Sequence, residues 1–291
     1  MQSGLPPPWP RPKVPPVTIL DRILPDVRRE LDEARERVSP EEIRRRAADA
    51  PPPRDLTAAL SSGGFGLIAE IKRRSPSMGD MREENVRDAA ASYEASPVVR
   101  ALSVLTNRTH FGMDIDDLAA VAAASSKPVL RKDFILDPYQ IYAARAAAAD
   151  AVLLMANVLE AAQMRELYDV TRDLGMEALF EVHEREEIES LPAGVRIVGI
   201  NSRKFKSRDG FVAAGQSTEQ DFTLDFSAFE LAEALPTGCI RVAESGVSAA
   251  TVAPLARHFH AALVGTSLLR DPRGIAPALE EFARALAGTG G

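Results

Sequence analysis

At 291 residues the chain can hold one large domain with an extension, since a β/α barrel alone takes roughly 200–250 residues. Apolar residues make up 45% and charged residues 26%, ordinary for a soluble globular protein, and no run of about 18 apolar residues is present to cross a membrane. A net charge of −7 disfavours nucleic acid as a partner, and a single cysteine, Cys239, excludes an internal disulfide, so a reducing cytoplasm is the expected setting.

Residues 1–17 carry Pro6-Pro7-Pro8, Pro10, Pro12 and Pro15-Pro16, a composition that favours extended, solvated chain, and they read as a disordered tail without the apolar core of a signal peptide. Over 19–38 the residues Ile19, Ile23, Val27, Leu31 and Ala34 recur at helical spacing, which predicts an amphipathic helix that Pro25 either kinks or divides. Ser39-Pro40-Glu41-Glu42 supplies the cap, proline and acidic first turn of a second helix reaching about Ala48, and Pro51-Pro52-Pro53 stops it. A helical segment near 55–60 precedes Gly63-Gly64. Residues 18–65 therefore read as a helical extension and 66–291 as the catalytic domain.

After Gly66, β-type runs at 67–72, 99–105, 129–132, 151–155, 178–182, 196–201, 240–244 and 261–264 alternate with helical patterns, among them 116–124, 138–149, 159–174, 226–234 and 248–257. Eight strand-then-helix units point to a parallel sheet closed into a (β/α)8 TIM barrel. A doubly wound open sheet is the alternative, but it would show a Gly-x-Gly-x-x-Gly turn after its first strand, and none is present.

In such a barrel alternate residues point inward, and those at the C-terminal strand ends face the active site. That parity selects Glu70 and Lys72, Lys132, Glu181, Asn201 and Glu244, all converging on one mouth. A structural layer of ion pairs would explain them too. Two lysines among three glutamates, however, shift one another's pKa values and supply acids and bases, which suits proton-transfer catalysis. The last two strands run into Glu244-Ser245-Gly246 and Gly265-Thr266-Ser267, where glycines let backbone N–H groups approach a phosphate. Arg203 has the donor fork for a carboxylate, or is a surface arginine of a basic run. Phe111 and Phe134 are suited to wall an aromatic ring or to pack in the core. His183, two residues past Glu181, reads as a helix-start or supporting residue, and the histidines show no metal-ligand spacing.

These segments resemble indole-3-glycerol phosphate synthases. The resemblance runs from about Val17 to Phe282 and rests on Ile-Leu-Asp-Arg-Ile at 19–23, Ala69-Glu-Ile-Lys-Arg-Arg-Ser-Pro-Ser77, Leu102-Ser-Val-Leu-Thr106, Arg131-Lys-Asp-Phe134, Phe180-Glu-Val-His183, Gly199-Ile-Asn201 with Arg203, Ala243-Glu-Ser-Gly246 and Gly265-Thr-Ser267. It implies conversion of 1-(2-carboxyphenylamino)-1-deoxyribulose 5-phosphate to indole-3-glycerol phosphate, carbon dioxide and water in tryptophan biosynthesis, with no metal or organic cofactor. By the same resemblance Lys132 is the acid of ring closure and Glu181 the acid/base of dehydration, while Lys72, partnered by Glu70, assists proton transfer. Asn201, Arg203, Ser75 and Glu244 would orient the hydroxyls and the carboxylate; Ser245, Gly246, Gly265 and Thr266 would hold the phosphate; Phe111, Phe134 and Leu263 would line the ring pocket.

Three features depart from the family pattern: Ser202 stands where a second asparagine is common, Phe111 is followed by Gly112-Met113-Asp114, and the segment 205–222 is long. Two other functions fit parts of the pattern, a sugar-phosphate lyase or aldolase that uses Lys132 as a Schiff base, and a catalytically reduced paralogue that binds a metabolite. Nothing in the sequence sets an oligomeric state.

Overall fold

A computed structural model describes residues 19–203 and 224–287. Its centre is a closed parallel barrel of eight strands, β1 (Gly66–Ile71), β2 (Val99–Leu105), β3 (Val129–Lys132), β4 (Ala151–Met155), β5 (Glu177–Val182), β6 (Ile197–Asn201), β7 (Ile240–Glu244) and β8 (Ala261–Val264). Neighbours in sequence are neighbours in the sheet, and β8 closes on β1 with Gly66 opposite Ala261 and Ala69 opposite Val264. The continuous apolar runs follow from burial on both faces.

Residues alternate between two cores along each strand. Ile68, Leu130, Leu179 and Val242 fill the barrel, whereas Leu67, Val129, Phe180 and Ala243 pack outward under the helices. Glu70, Lys132, Glu181, Asn201 and Glu244 continue the inward set to the C-terminal rim. Parallel strands bring all those ends to the same side, so a polar layer there follows from the pattern that builds the core.

The preceding helices are α1 (Ile19–Arg37), α2 (Pro40–Asp49) and α3 (Leu56–Ser61). α1 runs unbroken through Pro25. Its Ile23 and Val27 join the inward cluster of the barrel, as do Leu56 and Leu60 of α3, which packs against β2 and β7. Ser39 caps α2 by accepting from the Glu42 N–H at 3.2 Å, the role its sequence position predicts. Leu31, Ile43 and Tyr139 then fasten α1 and α2 to the helix Pro138–Ala146.

Two predicted helices differ. Residues 226–234 wind as a 3-10 helix that brings Phe229 edge-on to Phe259 at 5.2 Å between centroids. The pattern at 248–257 yields only Val252–Leu255, because Ser248 and Thr251 bond each other in a turn first. Among the described residues no helix is long and apolar enough to cross a membrane.

Candidate active site

At the C-terminal rim lies a cleft of about 350 Å³, and every candidate residue selected from the sequence lines it. At its floor the Lys132 ammonium donates to Glu181 Oε2 at 2.9 Å and to Glu244 Oε2 at 3.2 Å. The lysine side chain is 14% exposed and both carboxylates 1%. Burial works against charge on Lys132, but Glu181, Glu244 and Glu70 outweigh it and hold the ammonium above the ordinary lysine range. Burial would also raise Glu181, yet Lys132 and His183 keep it well below the usual carboxylate range. Glu244 goes the other way, pushed up by burial and by the neighbouring Glu181 against the pull of Lys132. Environment thus separates the two carboxyl groups into an ionised one and a proton-holding one, the division of labour that acid/base chemistry at neutral pH needs.

Two glycines make room for this layer. A Cβ on Gly199 would overlap Glu244 Oε1, and one on Gly265 would overlap Glu70 Oε1. Gly265, read from the sequence as part of a phosphate cradle, therefore also admits Glu70, which pairs with Lys72. On the β7 side Ser245 and Gly246 are both left-handed, with φ of 67° and 68°, so the backbone turns sharply at the cleft wall.

Arg203 extends from the end of β6. Its N–H donates to Asn201 Oδ1 at 3.0 Å and its guanidinium to Ser77 Oγ at 2.6 Å, while the Ser77 and Ser75 hydroxyls lie 3.0 Å apart, so Asn201, Arg203 and Ser75 form one edge of the cleft with Ser77 linking the last two. The apolar wall comprises Phe111, Phe134 and Leu263, joined by Ile23 from α1 and by Met155. Sequence reasoning gave neither Ile23 nor Asp133 a place in the site. Asp133 accepts from Arg131 Nη2 at 2.8 Å, Thr106 Oγ1 at 2.7 Å and the Phe134 N–H at 2.8 Å, fixing the chain just past Lys132. Its signal was its position inside Arg-Lys-Asp-Phe.

The sequence profile for indole-3-glycerol phosphate synthase matches residues 20–278. Synthases of that name from Mycobacterium sp. (strain KMS) and Mycobacterium avium (strain 104) are 42% and 41% identical, covering 88% and 89% of this chain and 91% and 92% of their own. The Saccharopolyspora erythraea relative is 41% identical over 79% of this chain and 81% of its own. The chain belongs to the indole-3-glycerol phosphate synthase family. Membership makes it a carboxy-lyase of tryptophan biosynthesis. The crystal structure of 3-hexulose-6-phosphate synthase from Salmonella typhimurium matches 77% of this chain and 100% of its own with a TM-score of 0.56 at 13% identity, a likeness of fold alone.

Two departures from the usual synthase pattern turn out to be structural. Ser202 is fully buried and its hydroxyl donates to the Ser245 carbonyl at 3.1 Å, tying the end of β6 to the end of β7 rather than facing the cleft. Gly112 ends the short helix Arg108–Phe111 with φ of 76°, Met113 is buried in the outer core, and Asp114 caps the helix Ile115–Ala124 through a capping box. The segment 205–222 lies outside the described residues.

Proposed function

We propose that ring closure, decarboxylation and dehydration all take place over the Lys132 carboxylate pair, with 1-(2-carboxyphenylamino)-1-deoxyribulose 5-phosphate as substrate and indole-3-glycerol phosphate, carbon dioxide and water as products. The observation that carries this reading is the Lys132 ammonium held between Glu181 and Glu244. Lys132 protonates the substrate ketone as the ring carbon bearing the carboxylate attacks it, and the resulting iminium draws the electrons of the departing carbon dioxide. The new hydroxyl then leaves as water, taking a proton from an acid, while a base removes the proton of the adjacent carbon. Glu181 is the acid/base group of that second stage, and Lys72 with Glu70 assists at the opposite side of the cleft.

Specificity follows from the remaining walls. The phosphate fits beside Ser245, Gly246, Gly265 and Thr266, the aromatic ring between Phe111, Phe134 and Leu263, and the carboxylate and hydroxyls along Asn201, Arg203, Ser75 and Glu244. A Schiff-base aldolase is disfavoured, because it needs a neutral amine and Lys132 is held charged.

Replacing Glu181 by Gln keeps the shape and removes the exchangeable proton. The fluorescence of the indole product should then show kcat lower by about a hundredfold or more with KM little changed. Near-normal turnover would remove Glu181 from the chemistry.

A further inference from the structure

The reaction consumes one proton per turnover, since a carboxylate leaves as neutral carbon dioxide and a hydroxyl as water while the ring gives up only one proton. Lys132, which spends its proton on the ketone, must be recharged. A substrate seated in the cleft covers that lysine, and Glu181 beside it is 1% exposed. Behind Glu181 stands His183, just past β5 with its side chain 6% exposed, and its Nε2 lies 3.5 Å from Glu181 Oε1, the oxygen that faces away from Lys132. Its Nδ1 lies 3.6 Å from Glu187 Oε2, on the short helix Arg185–Glu189. Glu187 also accepts from the His183 N–H at 2.6 Å, which pins its carboxylate beside the ring, and it is 17% exposed. The two ring separations are slightly longer than a good hydrogen bond, and the relay requires both to shorten in the working complex.

We propose that His183 is a positioning residue that returns the consumed proton from the Glu187 side to Glu181 and so to Lys132, an inference that rests on the acid/base roles given above. A solvent proton arriving by way of Glu187 binds Nδ1, the proton on Nε2 passes to Glu181 Oε1, and the carboxyl group turns so that this protonated oxygen faces Lys132 and gives its proton to the neutral amine. The ring recovers its first tautomer by exchange before the next cycle. No step needs another reactant.

The test is rapid-quench and steady-state kinetics on H183Q, H183A and E187Q, with unfolding midpoints to establish that each variant is folded. The first turnover should proceed at the wild-type rate with full amplitude, and the steady state should fall on the order of tenfold. Added imidazole should restore the steady state of H183A. An equal loss in the first turnover and the steady state, an unchanged steady state, or imidazole without effect would each overturn the proposal. If H183A does not fold, the burst and steady state of E187Q, whose amide still accepts from the His183 N–H, decide it. Absence of indole product from the wild-type enzyme would instead reject the synthase reading itself.

Discussion

Lys132 keeps charge on Glu181, which burial would otherwise neutralise, and this sets a sign for pH effects. The folded-state pKa of Lys132 is raised, so its stabilising contribution is full below the ordinary lysine value and is lost only as pH rises through the raised one. In K132M the ammonium is gone, and burial lifts the folded-state pKa of Glu181 as well as that of Glu244. The penalty is then full above those raised values and vanishes below the unfolded value near ~4.3. Urea titrations should find K132M less stable than wild type by roughly 3–5 kcal/mol at pH 7, the cost of breaking a buried pair, with the gap closing toward pH 4. A gap that does not change with pH would point to lost packing rather than lost charge. Gly199 acts at the same scale. A Cβ there collides with Glu244, so G199A should lower kcat, and a double-mutant cycle with E244A should show that most of the loss disappears once the carboxylate is absent. Additive losses would separate Gly199 from Glu244.

Among the elements, α1 is tied to the loop after β2, and through it to the ring pocket. Glu30 accepts from the Arg108 N–H at 3.3 Å, the Thr109 N–H at 3.0 Å and the Thr109 hydroxyl at 2.6 Å, and His110 Nε2 meets Asp26 Oδ2 at 2.9 Å. Phe111 ends the helix held this way. E30A should therefore raise KM and lower stability by about 1 kcal/mol, seen as a melting point lower by about 2–4 °C. Lower stability with KM unchanged would mean that α1 supports the fold without shaping the pocket. None of this was legible in the chain. The apolar stripe of α1 announces a buried face but not what the face covers, and the partners of Glu30 lie far along the sequence. Strands were legible because each is a largely apolar run buried on both sides, and several end where charge begins, as at Lys132 and Glu244. The helical patterns at 226–234 and 248–257 misled because local turns, the Ser248–Thr251 pair and the tight winding after Asp225, won over periodicity. Parity placed Lys132 inward and Arg131 outward, but the network of Arg131 with Thr106, Asp133 and the Gln140 carbonyl depends on tertiary contacts.

For the whole molecule, eight parallel strands deliver their ends to one rim, and the cleft there gathers Lys72, Lys132 and Arg203 beside Glu70, Glu181 and Glu244. The neighbouring carboxyl groups hold Lys132 charged against burial, which supports the proposal that the lysine works as an acid and not as a nucleophile. Treating the enzyme with borohydride during turnover, then mapping its peptides by mass spectrometry, tests that claim most directly. The expected result is steady formation of indole product and an unmodified Lys132; a substrate-sized mass increase on Lys132 would contradict general-acid catalysis and establish a covalent Schiff base.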